Sequence, residues 1–492
     1  MSQNQCDVLI VGAGVVGAAI ARQLSRFQLR VILVEEAEDI ATGTSKANSG
    51  IVHSGIHDGS GTLKARLCVR GNQLYPSLAE ELGFLYQNNG ALVVARHPEE
   101  LPLLDRLMEQ GRQNGVPGFT RLSPDEIRQL EPNLAPNLAG GILTPSGGIV
   151  VPFDLVFALI ENAVHNGLQL LLNTRVTAIR REREGFLVET NNGAIRAAYL
   201  VNAAGLGSAA LARMVGDESF SIHPVKGEEY LLDRRLDGLV RRTIFPLPTP
   251  LSKGILVIPT VDGNIMLGPT AHPVADAQDR ATTREGWQEI FREVRTLVPA
   301  LSPADLITSF AGLRAATDQE DFLIEPSKVA PRMIHLAGIN SPGLTAAPAI
   351  AEYVVALLEE SGLRLTTRFD FQPRRELIRM RQLSRERQAE LIRQNPQYAN
   401  IVCRCELVSE AEIREAIRRG ATTVDGVKLR TRSGMGRCQG GFCTPKVIRI
   451  LSEELGCAPE AITKKGSGSE LLLGRLRQPD TMTSIEEAKQ DV

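Results

Sequence analysis

A glycine turn near the N-terminus constrains the fold of this 492-residue chain more than any other feature. A strand predicted over residues 7–11 leads into the turn Gly12-Ala13-Gly14-Val15-Val16-Gly17, which opens a helix predicted over 15–27, followed by a strand over 30–34. In such a βαβ unit the first glycine permits a tight turn, the second lets the backbone approach a pyrophosphate, and the third lets helix and strand pack closely. The helix N-terminus adds amide donors and partial positive charge. The pattern predicts a dinucleotide site; the alternative is a tight turn that binds nothing.

Two features after this unit indicate which dinucleotide it binds. Glu35 follows the second strand, 23 residues after Gly12, where it can accept a hydrogen bond from a ribose 2′-hydroxyl and would repel a 2′-phosphate. The run 41–50 then consists mainly of hydroxyl-bearing and small residues, which suits wrapping a diphosphate and a ribityl chain. The loop favours FAD over NAD, and the Glu35 carboxylate disfavours NADP. The candidate FAD contacts in this loop are Thr42, Thr44, Ser45 and Ser49.

Composition restricts the other possibilities. A hydrophobic share of 43%, a charged share of 23% and a formal charge of −2 are typical of a globular protein and give no reason to expect a nucleic-acid partner. No apolar run reaches about 18 residues, so we predict neither a membrane span nor a signal peptide. Four of the seven cysteines lie between Cys403 and Cys443, which indicates metal binding in a reducing cytoplasm. We therefore expect a cytoplasmic protein whose membrane association, if any, is peripheral and through a partner.

The four clustered cysteines form two close pairs. Cys403-Arg404-Cys405 is followed, after 32 residues, by Cys438-Gln-Gly-Gly-Phe-Cys443. Four thiolates can ligate a [2Fe-2S] cluster, the favoured prediction, or a structural zinc ion, the alternative. The predicted ligands are Cys403, Cys405, Cys438 and Cys443, and the packing residues are Cys6, Cys68 and Cys457.

The length predicts two or three domains. Strand-like and helical segments alternate irregularly as far as residue 365. They predict an α/β fold in which a Rossmann-type FAD-binding domain is interleaved with an α+β substrate domain, with a small C-terminal [2Fe-2S] domain added. The predicted parts are FAD-binding segments at about 1–85, 145–215 and 305–365, substrate-domain segments at about 86–144 and 216–304, a charged linker helix at 366–399, the [2Fe-2S] domain at 400–476, and a flexible tail at 477–492.

Residues 7 to about 358 resemble the FAD-dependent oxidoreductases of the glycine-oxidase and D-amino-acid-oxidase class. The motifs that carry the resemblance are Tyr199-Leu-Val-Asn-Ala-Ala-Gly205 and Gly338-Ile-Asn-Ser-Pro-Gly-Leu-Thr345. It implies that the second motif lies against the flavin ring, where a helix N-terminus would stabilise negative charge on the reduced flavin. It also implies that Val176, in a strand predicted over 171–178, holds the adenine side. The implied cofactor contacts are Ala204, Gly205, Gly338, Gly343, Leu344 and Thr345.

The C-terminal region resembles the bacterioferritin-associated-ferredoxin-like [2Fe-2S] module. The stretch Gly434-Met-Gly-Arg-Cys-Gln-Gly-Gly-Phe-Cys443 is similar to the end of the large subunit of anaerobic glycerol-3-phosphate dehydrogenases. This resemblance implies that electrons leave the flavin through the cluster. The expected recipient is an electron-accepting protein subunit or flavoprotein.

Two residues are candidates for the chemistry. The segment Asn48-Ser-Gly-Ile-Val-His53 resembles stretches of glycerol-3-phosphate oxidases and of L-2-hydroxyglutarate dehydrogenases, which makes His53 the candidate base, although a lone histidine can also be a core residue. Ala311-Gly-Leu-Arg314 resembles a segment whose arginine grips the substrate anion; the alternative for Arg314 is an ion pair with Asp318 or Asp321. Weaker candidates are His57, Lys226 and Lys253.

These features together predict an FAD-dependent dehydrogenase acting on a small anionic hydroxy-substrate. The first interpretation is oxidation of glycerol 3-phosphate to dihydroxyacetone phosphate, with hydride passing to FAD and electrons leaving through the cluster. The rival is an L-2-hydroxy acid such as 2-hydroxyglutarate, because Ser54 stands where the glycerophosphate enzymes carry a glycine after the histidine. Amine or opine oxidation, and a non-catalytic electron-transfer subunit, remain as further alternatives.

Overall fold

The computed structural model describes residues 4–248 and 253–474. The predicted tail at 477–492 lies outside the described residues. The chain divides into two compact units, residues 1–377 and 378–492. Each unit has its own sheet structure and its own buried core.

The helices of both units are numbered in chain order. They are α1 (Val15–Leu24), α2 (Leu63–Leu82), α3 (Leu101–Gln113), α4 (Pro124–Leu130), α5 (Pro152–His165), α6 (Ser208–Met214), α7 (Arg284–Leu297), α8 (Gly343–Glu360), α9 (Arg385–Gln394), α10 (Glu410–Arg418), α11 (Val424–Thr431) and α12 (Thr444–Leu455).

The strands are numbered in the same way. They are β1 (Gln5–Val11), β2 (Val31–Val34), β3 (Ile51–Val52), β4 (Tyr86–Gln87), β5 (Ala91–Ala95), β6 (Thr120–Leu122), β7 (Gly140–Thr144), β8 (Gly148–Val150), β9 (Gln169–Leu171), β10 (Val176–Glu182), β11 (Gly185–Thr190), β12 (Gly193–Asn202), β13 (His223–Leu232), β14 (Thr243–Pro246), β15 (Leu256–Pro259), β16 (Ile265–Gly268), β17 (His272–Pro273), β18 (Leu306–Ala316), β19 (Leu323–Pro326), β20 (Met333–Ala337), β21 (Ile401–Cys403) and β22 (Val408–Ser409).

The first sheet of the larger unit contains the predicted βαβ unit. Its eight strands run in the order β10-β11-β12-β1-β2-β9, with β20 beside β12 and β19 beside β20. The strand pairs β1–β2, β1–β12, β2–β9 and β12–β20 are parallel, and α1 packs with α5 and α8. Because the carboxyl ends of parallel strands share one edge of the sheet, the turn after β1 lies at that edge. The first helix ends at Leu24, not at residue 27, because Phe27 forms a β-bridge with Thr367.

The second sheet of this unit has nine strands. Their order is β17-β13-β16-β15-β14-β5-β7-β6, with β18 paired to β13 along its length. Side chains alternate between two apolar cores: Leu92 and Val94 face one core that includes residues of α7, and Val93 faces another that includes residues of α3. The FAD-binding segment predicted to begin at about residue 305 starts too early, because β18 pairs with β13 in this second sheet and not with a strand of the first sheet. A smaller sheet, β3-β8-β4, carries residues 51–52, directly before His53.

The predicted linker helix at 366–399 is wrong for its first half. Helix α9 covers only Arg385–Gln394, and residues 371–379 are irregular. Pro373 lacks an amide donor and disfavours helical backbone at the residue before it. The carbonyl of Gln372 instead accepts hydrogen bonds from the side-chain amides of Asn162 and Asn166, and Arg375 forms a buried ion pair with Glu161. Contacts with α5 therefore hold this segment in an extended form.

The smaller unit is built around the cysteine region. Strands β21 and β22 form a hairpin, and α10, α11 and α12 contact one another around a core that includes Val402, Ile413, Val427 and Leu451. Helix α10 begins with a capping box: the Ser409 side chain accepts from the Glu412 amide, and the Glu412 side chain accepts from the Ser409 amide. No helix among the described residues is both long and apolar enough to cross a membrane.

One buried hydrogen bond joins α2 to the start of α8. In a regular helix the Leu344 carbonyl accepts from residue 348, but residue 348 is proline, which has no N–H. The hydroxyl of Tyr75, fully buried on α2, donates to that carbonyl at 2.7 Å instead. This bond therefore satisfies an acceptor that the helix itself cannot.

We predict that Tyr75→Phe lowers the free energy of unfolding of the larger unit by about 1–3 kcal/mol, because it leaves a buried carbonyl unpaired. Urea denaturation of the FAD-loaded protein measures the change. The control is Tyr353→Phe on α8. The Tyr353 ring lies against Arg66 in a partly exposed position, so loss of its hydroxyl should change stability little. Equal effects of the two substitutions would contradict the assigned role of Tyr75.

Candidate functional site

The glycine turn has the geometry of a diphosphate cradle. Gly12 has φ +105°, and a Cβ at that position would lie 2.5 Å from the carbonyl oxygen of Ala203. A Cβ at Gly17 would lie 2.0 Å from the Gly12 carbonyl oxygen. Gly14 is the N-cap of α1 and provides no capping side chain. The turn therefore leaves no room for a side chain at Gly12 or Gly17, and backbone alone lines it at these two positions.

Glu35 supports this turn from the end of β2. Its carboxylate accepts hydrogen bonds from the amides of Ala13 at 2.8 Å and Ala37 at 3.0 Å. Burial raises the pKa of Glu35, and the two amides oppose that rise. Each carboxylate oxygen keeps a second lone pair that a ribose hydroxyl can use. The position therefore fits the predicted ribose contact.

Residues 41–50, here called the hydroxyl loop, link the glycine turn to the second sheet. Ser45 accepts from the Val15 amide at 2.9 Å, and Thr44 donates to the Leu313 carbonyl at 2.7 Å. Ser49 donates to Glu229 of β13 at 2.6 Å. Thr42 is partly buried in the same loop. Three of the four predicted loop contacts therefore also fix the loop itself.

The remaining predicted cofactor residues lie around the same edge of the first sheet. Ala204 and Gly205 follow β12, which pairs with β1, and Gly338 to Thr345 form the loop after β20 and the first turn of α8. Thr345 accepts from the His53 amide at 2.9 Å and donates to the Ile51 carbonyl, so the start of α8 is bound to the segment that carries His53. The strand predicted over 171–178 is two strands, β9 and β10, separated by a turn in which Asn173 has φ +52°. Val176 begins β10 and is buried.

His53 lies where the N-terminus of α8 meets β3. Its Nε2 is 3.3 Å from Ser341 Oγ, its carbonyl accepts from the Asn72 amide nitrogen, and its ring lies 5.9 Å from that of Phe245. Burial, with the positive charge of Lys253, lowers the pKa of His53 well below 6.5. The imidazole is therefore neutral at physiological pH and can accept a proton.

A second histidine and an ion pair accompany it. His57 packs on Phe245 at 4.9 Å, and burial together with Lys253 lowers its pKa to about 3. Its Nε2 is buried and has no hydrogen-bond partner among the described residues. Lys253 pairs with buried Asp58 at 3.1 Å. Lys253 therefore belongs to the surroundings of His53, whereas the other lysine candidate, Lys226, forms an ion pair with Asp279 at 2.8 Å.

Arg314 is not held by an aspartate. Nη1 and Nη2 both donate to the Thr270 carbonyl, at 3.2 and 3.3 Å. Asp318 instead bonds Ser221 and His223, and Asp321 accepts from the first amides of α2. Burial lowers the pKa of Arg314, and the charge of Glu229 opposes this. The alternative interpretation of Arg314 as half of an aspartate pair is wrong, and its guanidinium keeps donors that an anion can use.

Sequence reasoning missed three residues of this region: Asp58, Phe245 and Glu229. Each reaches the site from a different element, and none stands in a recognisable motif. Glu229 is the most unusual because its carboxyl is buried between Ser49 and Arg314. The one available signal was the pair of adjacent glutamates, Glu228 and Glu229, inside a strand, which are both buried.

The four predicted ligands in the smaller unit stand as two pairs. Cys405 and Cys438 have their Sγ atoms 3.6 Å apart, and the neighbouring Cys443 thiol lowers the pKa of Cys403. Within residues 4–248 and 253–474, no three ligating side chains converge on a single ion position. Two thiolates per iron is the arrangement that a two-iron cluster needs, whereas zinc needs its ligands around one point. The residues present therefore fit a [2Fe-2S] cluster better than zinc.

The loop around the cysteines is tightly built. A Cβ at Gly436 would lie 2.4 Å from the Cβ of Cys405, so this position admits only glycine. Glu406, next to Cys405, is buried and forms ion pairs with Arg381 at 3.2 Å and Arg432 at 2.8 Å. A buried carboxylate with two guanidinium partners fixes the loop that carries Cys405.

Two family models match the chain. The model described as "FAD dependent oxidoreductase" matches residues 7–357, and the "BFD-like [2Fe-2S] binding domain" matches residues 401–453. The chain therefore belongs to the FAD-dependent oxidoreductase family and carries a C-terminal [2Fe-2S] domain. Its cofactors are FAD and a [2Fe-2S] cluster, as predicted, and the predicted fold class is confirmed.

Individual proteins of known name are similar to this chain. The chain is 42% identical to a glycerol 3-phosphate dehydrogenase of Caloramator mitchellensis over 471 residues, covering 95% of this chain and 98% of that protein. The solved structure of dithionite-reduced, FAD-bound L-α-glycerophosphate oxidase of Mycoplasma pneumoniae aligns with TM-score 0.73 and 32% identity, covering 77% of this chain and all of that one. An L-2-hydroxyglutarate dehydrogenase of Escherichia coli is 28% identical over 72% of this chain and 93% of that protein.

We predict that Cys438→Ser removes most of the bound iron and the visible absorbance and EPR signal of the cluster, because one iron loses half of its protein ligands. Flavin content should stay the same. Cys457→Ser is the matched control, since Cys457 lies outside both pairs. Unchanged iron content in Cys438→Ser would exclude this cysteine as a ligand.

Proposed function

We propose that this protein is an FAD-dependent dehydrogenase that oxidises glycerol 3-phosphate to dihydroxyacetone phosphate and delivers the electrons through its [2Fe-2S] domain to a protein acceptor. The observation that carries the proposal is the relative named glycerol 3-phosphate dehydrogenase, at 42% identity over 95% of this chain. That alignment includes the cysteine region, which a flavin reoxidised by oxygen does not need. When bound, FAD supplies a two-electron acceptor for the hydride, and the cluster supplies one-electron transfer outward.

His53 is the proposed base. Oxidation of a secondary alcohol removes the hydroxyl proton and a hydride from the same carbon, and a neutral imidazole can take the proton. Its lowered pKa keeps it neutral, and Ser341 lies within reach of the same nitrogen. His53 is fixed by its main chain, through Thr345 and Asn72, so its ring position follows from the start of α8.

Arg314 is the proposed anion-binding residue. Arg314 is half-buried, and the Thr270 carbonyl orients its guanidinium without neutralising its charge. A partly buried cation without a carboxylate in hydrogen-bond contact gains most from an anionic ligand. A phosphate monoester supplies that ligand.

The proposed transfer of electrons to an acceptor protein depends on the smaller unit. Cys405 is exposed, whereas Cys403 and Cys443 are buried, so one edge of the cysteine site faces solvent. Phe442 beside Cys443 is 83% exposed, and Leu407 beyond Cys405 is 55% exposed. An accessible cysteine edge with apolar residues around it suits docking of an electron-accepting protein. We place this step in the cytoplasm, with any membrane attachment through that acceptor.

The rival function is oxidation of an L-2-hydroxy acid. It is supported by the Escherichia coli relative and by the segment from Asn48 to His53. Glu229 argues against a dicarboxylate such as 2-hydroxyglutarate, because its carboxyl lies buried beside Arg314 and would repel a second anionic group.

Anaerobic stopped-flow absorbance tests the proposal. We expect glycerol 3-phosphate to bleach the flavin band rapidly and L-2-hydroxyglutarate to leave it nearly unchanged, because the site offers one anion-binding arginine beside a carboxyl. His53→Ala should keep FAD and slow bleaching by about a hundredfold or more. The control is His165→Ala, at an exposed helix end.

Other outcomes have definite meanings. Bleaching by the hydroxy acid alone would replace the proposal with its rival. Bleaching by neither substrate would leave amine oxidation or a purely electron-transferring role. Full activity of His53→Ala would remove the proposed base.

The pH dependence follows from the lowered pKa of His53. Because the base form persists below pH 6.5, the limiting rate of flavin reduction at saturating substrate should not fall around pH 6.5 through this group. Lys253→Met removes a positive charge that lowers the pKa of His53, so the acidic limb of the pH–rate profile of this variant should move to higher pH. Lys328→Met, a substitution at an exposed position, is the control, because any titration of the substrate phosphate affects both variants equally. Identical acidic limbs in wild type and Lys253→Met would contradict the electrostatic role of Lys253.

A further inference from the structure

The most unusual side chain of the larger unit is the carboxyl of Glu229. The residue is 3% exposed. Its Oε1 accepts from Ser49 at 2.6 Å, and its Oε2 is buried with no hydrogen-bond partner among the described residues. An unpaired buried carboxyl oxygen destabilises the fold by about 1–3 kcal/mol or more. A partner that binds at this point would remove that penalty.

The position of Glu229 in the sheet directs it toward the hydroxyl loop, to which Ser49 belongs. Along β13, Gly227 and Glu229 share one face, and opposite them on β18 stand Gly312 and Phe310. A Cβ at Gly312 would lie 2.4 Å from the Ala47 carbonyl oxygen, so this face packs directly on the hydroxyl loop. The partner that Oε2 lacks therefore has to come from the space between β13 and that loop.

Arg314 lies on the same face, next to Glu229. Its guanidinium extends over Gly227, where a Cβ would lie 2.6 Å from Nη2. Arg314 bonds only the Thr270 carbonyl within the described part of the chain, and its charge lowers the pKa of Glu229 against the effect of burial. A cation for an anion and an acceptor for a hydroxyl thus stand side by side.

The chemistry of the carboxyl selects the partner. Burial raises the pKa of Glu229 to about 7, so both protonation states are populated near neutral pH. A hydroxyl group can pair with either state, because it both donates and accepts. A carboxylate on the ligand can pair with the protonated state only. A neutral hydroxyl is therefore the partner that fits at every pH.

We propose that Glu229 binds a second, non-reacting hydroxyl of the substrate beside the anion held by Arg314, and so makes the site selective for a diol monophosphate over a monohydroxy acid. This inference rests on the proposed function and names the group that sets its substrate class. Ser49 positions the carboxyl through Oε1 and leaves Oε2 for the substrate.

A matched pair of substrates tests this assignment. Glycerol 3-phosphate and its deoxy analogue, in which a methyl group replaces the terminal hydroxymethyl group, share the reacting CH–OH and the phosphate. We expect the FAD-loaded wild type to favour glycerol 3-phosphate by about ten- to a hundredfold in kcat/KM for flavin reduction, the range of one hydrogen bond to a charged group. In Glu229→Ala this preference should fall to within about threefold, through a loss on glycerol 3-phosphate alone.

Two further variants complete the experiment. Glu229→Gln keeps the volume and a hydrogen-bonding group, folds without the buried charge, and should retain part of the preference. Glu325→Ala, on the exposed side of β19, should retain all of it.

Three outcomes would overturn the inference. An unchanged preference in both Glu229 variants would show that no substrate hydroxyl contacts this carboxyl. Loss of flavin absorbance per chain in those variants would assign Oε2 to the cofactor instead. Absence of flavin reduction by either phosphate in the wild type would remove the proposed function itself, a result distinct from reduction with unaltered selectivity.

Discussion

The hydroxyl loop and the strand after it hold the larger unit together at the point where its two sheets meet. Ser45 accepts from the first amide of α1, Thr44 and Ser49 donate to β18 and β13, and the His53 amide donates to Thr345 at the start of α8. These bonds join the glycine turn, the nine-stranded sheet and α8 through one short segment. Each of these bonds is half-buried and joins segments that are far apart in the chain, so the loop depends on all of them for its position.

Because of this arrangement, the residues predicted to bind the cofactor and those proposed to bind the substrate contact one another. The same serine that stands in the predicted FAD loop also orients Glu229, and the same threonine that opens α8 fixes His53. The cysteine site in the smaller unit is organised differently. There a single buried carboxylate, Glu406, fixes a glycine-rich loop through two arginines, so that the cysteine pairs are set by short-range contacts within about 60 residues.

What the sequence predicted correctly depends on local chemistry. The glycine turn predicts a βαβ unit because only glycine fits at Gly12 and Gly17. The spacing of the four clustered cysteines likewise predicts a cysteine-ligated site. The sequence could not predict contacts between segments far apart in the chain, such as Tyr75 with Leu344 or Lys253 with Asp58. The linker prediction failed for the same reason: its charged residues suit a helix, but hydrogen bonds from Asn162 on α5 and from Asn166 just after α5 hold the Gln372 carbonyl in an irregular segment.

The electrostatics of the candidate site favour a substrate with one anionic end. His53 and His57 are both neutral, Lys253 is paired with Asp58, and the net charge presented to a ligand therefore comes from Arg314 and from Glu229. When Glu229 is protonated the site is cationic and accepts a phosphate. When Glu229 is ionised it compensates Arg314 and opposes a second anionic group. On the proposed function, the choice between a phosphate ester and a dicarboxylate would therefore depend on Glu229, a strand residue outside every motif, while the family motifs would supply the chemistry that the two substrate classes share.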